Sequence, residues 1–228
     1  MNDLLSESAA FVFDLDGTIV DNCRYHVLAW QMFSGRIGRP LTEEQILGWM
    51  GATNRTYLER ILGRPVTDEE ARRFEDEKES LYRERYAPHM KLAPGLRDLL
   101  DYAGKKGVPC AVASGAPRQN IDFILDGLSI RGDFACAVDA SMYTRGKPAP
   151  DCFLTAARML GADPAGCLVF EDAVGGVRAA REAGMRSVAL AGTTASREDL
   201  VAAGADLVIG SFAELRLPTD AFPPSGRR

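Results

Sequence analysis

The stretch AAFVFDLDGTIVDN, residues 9–22, decides how this chain is read. An apolar run, Ala10-Phe11-Val12-Phe13, stops at Asp14, and a Gly-Thr turn follows at Gly17 and Thr18. Short uninterrupted apolar runs closed by turn residues read as strands buried on both faces. Asp14 and Asp16 leave the end of this strand with one residue between them. Alternate residues departing from an extended strand can bring two carboxylates to one phosphorus, one to attack and one to handle the proton of the leaving oxygen. Taken alone, the segment is equally a turn capped by an aspartate side chain.

Working outward, residues 22–86 have a helical texture. Tyr25, Leu28, Ala29 and Met32, then Leu58, Ile61 and Leu62, recur at three- and four-residue spacings between polar residues. After Pro94-Gly95, helical periods such as Leu96-Leu99-Leu100-Ala103 alternate with short apolar runs: Val108–Ala113, Phe134–Val138, Cys167–Phe170, Ser187–Leu190 and Asp206–Ile209. Strand and helix alternating at this interval predict βα units. The expected fold is α/β, a doubly wound, mostly parallel, Rossmann-like sheet with an inserted α-helical cap. Residues 1–21 and 91–228 form the core and residues 22–90 the cap. The tail Phe222–Arg228, with two prolines and two arginines, is expected to fray.

Composition narrows the chemistry. The 228 residues are 46% hydrophobic, enough for a substantial core, and carry a net charge of −5 with no basic stripe, which argues against a nucleic-acid partner. No apolar run approaches the roughly 18 residues of a membrane span, and the acidic start MNDLLSESAA is unlike a signal peptide. A cytoplasmic location and a monomer are the default expectations. Five cysteines (Cys23, Cys110, Cys136, Cys152, Cys167) never pair as CxxC, so neither a zinc site nor a disulfide framework is expected; most should be small buried residues.

Ligands of open parallel sheets bind beyond the carboxyl ends of the strands. Asp14 follows the first run, Ser114 follows CAVA, and Glu171-Asp172 follow CLVF, so three strands deliver polar groups to one edge. Lys147 lies in GKPAPD, where two prolines announce a helix start. Crowded carboxylates repel unless a cation sits among them, and an all-oxygen set suits Mg²⁺, which also takes a substrate phosphate. A lysine and a hydroxyl nearby supply charge and donors for phosphate oxygens.

With these motifs in order, the sequence resembles the haloacid dehalogenase superfamily, in the branch with a helical cap after the first strand. The resemblance rests on DLDGT at 14–18, Ser114 in ASGA, Lys147 in GKPAPD and FEDAVGGVRAAREAG at 170–184. It implies that Asp14 is a nucleophile forming an aspartyl-phosphate and a magnesium ligand. Asp16 would donate its backbone carbonyl to the metal while its side chain acts as general acid and base. Ser114 would bind phosphoryl oxygens, Lys147 would neutralise charge, and Asp172 with Glu171 would hold Mg²⁺ directly or through water. Thr18 would contact phosphate or orient the loop, with Gly115 beside Ser114 on the substrate side. Because Asp16 is present, phosphoryl transfer is implied rather than carbon–halogen cleavage.

Tyr25-His26 and Ala29-Trp30 resemble the YHxxAW segment of β-phosphoglucomutases and of sugar-phosphate phosphatases. His26 would couple cap closure to proton transfer or bind substrate, and Trp30 would belong to the core. The mutases of this branch carry a distal phosphate clamp, with an arginine in the cap's GxxR segment and a Ser-Lys pair after the motif serine. Here the cap reads Gly51-Ala52-Thr53-Asn54-Arg55, placing Asn54 where that arginine lies, and Gly115-Ala116-Pro117-Arg118 follows Ser114. Arg55 and Arg118 are the candidate substitutes. The expectation is Mg²⁺-dependent hydrolysis of a small phosphorylated metabolite, a sugar phosphate foremost; the alternative is a phosphosugar mutase.

Overall fold

A computed structural model describes residues 2–49 and 53–217. The tail Phe222–Arg228 and the cap residues Gly51 and Ala52 lie outside the described residues. Among these described residues six parallel strands form one sheet: β1 (Ala10–Phe13), β2 (Cys110–Ala113), β3 (Cys136–Val138), β4 (Cys167–Glu171), β5 (Arg186–Leu190) and β6 (Leu207–Ile209). Their order is β3-β2-β1-β4-β5-β6, so β1 is central, flanked by β2 and β4. Every expected strand is present. The second starts later than its apolar run because Val108 N–H closes the preceding helix onto Ala103 O, leaving Pro109 as the link into the ladder.

Among the described residues ten α-helices accompany the sheet: α1 (Asn2–Ser6), α2 (Cys23–Arg36), α3 (Glu43–Leu47), α4 (Asn54–Leu62), α5 (Asp68–Tyr86), α6 (Leu96–Lys106), α7 (Arg118–Gly127), α8 (Asp151–Leu160), α9 (Val174–Glu182) and α10 (Arg197–Ala203). Alternate strand residues point to opposite faces. Phe11, Phe13, Leu168 and Phe170 pack against Leu99, Leu100 and Ile124 of α6 and α7. Val12, Ala111 and Val169 pack against Phe153, Ala156 and Ala180 of α8 and α9 on the other face. Phe13 and Phe170 stack with ring centroids 4.6 Å apart across the β1–β4 pair, tying together the two strands that carry most of the acids.

Helices α2 to α5 fall between β1 and α6. Threonine caps set their starts: Thr42 and Thr67 form capping boxes with Gln45 and Glu70, and Thr53 accepts from Thr56 N–H. Trp30 is 3% exposed and stacks on Tyr57 at 4.5 Å, so it serves the core of this helical layer. Cys110, Cys152 and Cys167 are buried while Cys23 and Cys136 are half-buried, two fewer fully buried than the whole set, and all five are free thiols. Among the described residues no helix is long and apolar enough to cross a membrane.

Candidate active site

The site grows from the sheet order. Asp14 leaves β1 with its N–H bonded to Phe170 O at 2.9 Å, and Ser114 leaves β2 with its N–H bonded to Val138 O at 3.0 Å. Backbone pairing thus fixes both side chains at one edge, beside Glu171 and Asp172 from β4. Lys147, in the loop before α8, reaches into this group. Its Nζ donates to Asp14 Oδ1 at 2.6 Å, to Glu171 Oε1 at 2.7 Å and to Ala113 O at 3.4 Å.

The group is buried, and its electrostatics follow. Burial pushes the Asp14 carboxyl up to about 7, against the pull of Lys147 and with the repulsion of Glu171 and Asp16. Burial also holds Asp172 well above the usual carboxylate range, helped by Glu171 and Asp14. Lys147 is driven the other way: burial opposes its charge, but Asp14 and Glu171 raise it well above an ordinary lysine, so it stays an ammonium. Carboxylates that resist ionisation around one lysine carry less positive charge than they need.

Two glycines make this density possible. A Cβ on Gly17, which has φ +91°, would fall on the Asp172 carboxylate, and a Cβ on Gly176 would fall on that of Glu171. Gly176 therefore lets α9 approach the Glu171 carboxylate closely, whereas Gly175 has nothing nearby. Ser114 Oγ accepts from Ala116 N–H at 3.0 Å, which leaves its own proton to donate. Tyr143 donates to Ser114 O at 3.2 Å and props the loop. Gly115 is exposed at the same turn. Thr18 is wholly buried, and its Oγ1 has no hydrogen-bond partner.

A divalent cation fits here in a particular way. Asp172 Oδ2 is buried without a partner, and burial raises both this carboxyl and that of its neighbour Asp14. Glu171, expected to hold Mg²⁺ directly or through water, has both oxygens engaged: Oε1 takes Lys147, and Oε2 accepts from the N–H groups of Asp172 and Ala173 at 2.8 and 2.7 Å. Its oxygens are committed to shaping the loop. Among the described residues no three His, Cys, Asp or Glu side chains group tightly enough to enclose an ion by themselves. That pattern suits Mg²⁺, which binds through one or two carboxylates and completes its shell with water, backbone carbonyl and phosphate.

Asp16 faces the helical layer instead. Asn22 Nδ2 donates to Asp16 Oδ1 at 2.5 Å and to Tyr82 Oη at 2.6 Å. His26 Nε2 stands 3.6 Å from Asp16 Oδ1, within ion-pair but not hydrogen-bond reach, and its ring stacks on Tyr82 at 3.9 Å. Burial acts to raise Asp16, but His26 and Asn22 outweigh it and hold the carboxyl below its ordinary value. Behind His26 lies a buried pair that the sequence did not disclose: Lys78 Nζ is 2.9 Å from both His26 Nδ1 and Glu79 Oε1. Burial is again overcome in Glu79, which Lys78 and His26 draw down to about 2.

The remaining expected contacts separate. Asn54 Nδ2 donates to Glu75 and Glu79, both at 2.9 Å, so it is near the site but already engaged. Arg55 is not brought to the site: it binds Asp68 Oδ1 at 2.7 Å, Val66 O at 2.6 Å and Glu59 at 3.4 Å. Asp68 and Glu79 are eleven positions apart on α5, about 16 Å along the helix. Arg118 pairs with Asp122 at 3.0 Å on an exposed face. It also lines a cleft of ≈ 460 Å³ between α5 and the loops after β2 and β3. Arg72, Glu75, Glu79 and Asp139 share its walls, and Arg72, like Lys78 and Glu79, was not disclosed by the sequence.

An aspartate at the end of the central strand, a lysine bridging two strands and a helical layer over the edge match a phosphoryl-transfer class of α/β enzyme. Residues 9–184 match the haloacid dehalogenase-like hydrolase family, and the chain belongs to it. It is 33% identical to the β-phosphoglucomutase of Bacillus subtilis, over 91% of this chain and 92% of that protein. It is 31% identical to a fructose-1-phosphate phosphatase of Escherichia coli, over 79% of this chain and 95% of the relative. Its backbone superposes on the crystal structure of a family IA, variant 3 hydrolase from Entamoeba histolytica with a TM-score of 0.84 and 30% identity, covering 91% of this chain and 95% of that one.

Proposed function

We propose that this chain hydrolyses small phosphate monoesters, sugar phosphates foremost, through a phosphoryl bond to Asp14. The observation that carries the reading is the bridge of Lys147 to Asp14 and Glu171 beside Ser114 at one sheet edge. Lys147 and Ser114 bind and orient the phosphoryl oxygens. A carboxylate oxygen of Asp14 forms the new bond to phosphorus as the ester P–O bond breaks, and the leaving oxygen takes the proton of Asp16. Water then attacks phosphorus, Asp16 takes its proton, and the Asp14–phosphorus bond breaks to release phosphate. An anionic phosphoryl group brought beside Asp16 raises its proton affinity, offsetting the lowering that His26 and Asn22 impose without it. Mg²⁺, held by Asp14, Asp172 and the Asp16 carbonyl, supplies charge neutralisation and orientation of the phosphate.

The 33% identity to a β-phosphoglucomutase keeps a mutase in view. A mutase must grip a second phosphate, and the groups around the cleft favour hydrolysis. Asn54 is engaged by carboxylates and Arg55 points elsewhere, while Arg72 and Arg118 share the cleft with Glu75, Glu79 and Asp139. The deciding experiment is Mg²⁺-dependent phosphate release from a panel of sugar phosphates, beside a coupled assay for β-glucose 1-phosphate isomerisation. Steady release that is lost in Asp14→Asn supports the reading. Isomerisation dependent on a sugar bisphosphate, with little release, overturns it in favour of the mutase.

A further inference from the structure

Two buried polar side chains take no part in the chemistry above. Glu79 of α5 is 3% exposed and Asn120 of α7 is 1% exposed, and they meet across the boundary between helical layer and sheet layer. Asn120 Nδ2 donates to Glu79 Oε2 at 2.7 Å, while Asn120 Oδ1 accepts from Arg83 Nη1 at 2.8 Å. Both ends of one core amide are thus spent on a single cap helix. The other oxygen of Glu79 accepts from Lys78 and Asn54, each at 2.9 Å. The path continues from Lys78 to His26 at 2.9 Å and reaches Asp16 at 3.6 Å. It leaves the core at α7, crosses the cap and returns to the core at the proposed acid and base.

A buried ion pair is weak support for stability, since apolar replacements of similar size are often neutral or better. Its value here is directional. A lysine ammonium offers only donors, so His26 Nδ1 facing it must accept, and the ring proton sits on Nε2, the edge turned toward Asp16. Glu79 holds Lys78 in that place, and Asn120 holds Glu79 only while the helical layer is seated on the core.

We propose that Asn120 and Glu79 are positioning residues, a latch that makes seating of the helical layer and orientation of Asp16 one event. The inference rests on the reading of Asp16 as acid and base. Its test is the leaving-group dependence of kcat/KM in Asn120→Ala. Nitrophenolate departs without a proton, so kcat/KM for p-nitrophenyl phosphate should stay within about threefold, while that for a sugar phosphate falls about 10- to 100-fold. Loss of packing alone would lower both together. Asn120→Asp, nearly isosteric, sets a carboxylate against Glu79 and should show the same selective loss, which covers the case of an alanine variant that folds poorly. Asp16→Asn on the same two substrates separates the levels. If it discriminates and neither Asn120 variant does, the latch is wrong; if it lowers both substrates equally, the acid role of Asp16 is wrong and the latch falls with it.

Discussion

Asp14 and Lys147 are 133 positions apart in the chain and 2.6 Å apart in space, and the same ammonium lies 2.7 Å from Glu171. One side chain therefore closes a triangle whose other corners come from neighbouring central strands. Lys147 pulls the Asp14 proton affinity down while burial pushes it up to about 7. In Lys147→Met the carboxyl should climb further, and the acidic limb of the pH–rate profile should move to higher pH. Activity should fall about 10²-fold or more, the usual cost of removing one preorganised charge-stabilising group. An unmoved acidic limb would contradict the pairing.

Stability should depend on pH with opposite signs at the two ends. Asp14 titrates near 3.8 when unfolded and about 7 when folded, so the folded state binds more protons between those values. Without a divalent cation, stability therefore declines as pH rises through that window. Glu79 acts the other way. Its ordinary value of 4.5 drops to about 2, so its contribution is present above 4.5 and lost as pH falls toward 2. Thermal unfolding in chelator should show both limbs, and adding Mg²⁺ should flatten the neutral one by favouring ionised Asp14 and Asp172. A neutral limb indifferent to Mg²⁺ would argue against a cation there.

Gly176→Ala should be among the costly single-methyl additions in the chain, because the new atom meets the Glu171 carboxylate. Overpacking of this kind costs about 1–3 kcal/mol, which differential calorimetry would read as a fall in Tm. Activity should drop with it, since a displaced Glu171 no longer fixes Lys147. The neighbouring Gly175→Ala meets open space and is the control.

Arg55→Ala should leave kcat and KM within about twofold of the parent for every accepted substrate, since its guanidinium is held by Asp68, Glu59 and Val66 O. A selective rise in KM for sugar bisphosphates would show that Arg55 swings into the cleft after all.

The strands were legible because burial on both faces makes each an unbroken apolar run, as in CLVF and CAVA. Asp14, Ser114 and Asp172 were legible because strand order alone carries residues at strand ends to one edge, and Lys147 because the prolines of GKPAPD mark the helix start beside it. The cap was harder. In α5, DEEARRFEDEKESLYRERY, charge is so dense that the inward Lys78 and Glu79 look like their solvated neighbours. Arg55 misled for a related reason: adjacency to Asn54 in sequence turns a side chain about 100° around the helix. That rotation carries it to Asp68 instead of Glu79.

Asn54 holds Glu75 and Glu79, partners 21 and 25 positions ahead of it. An arginine grafted there, as in the mutases of this branch, would meet two waiting carboxylates and be captured by them before any substrate arrived. Interconverting the two activities thus requires coordinated changes on α4 and α5, and the single substitution marks a dead end rather than a stepping stone between them.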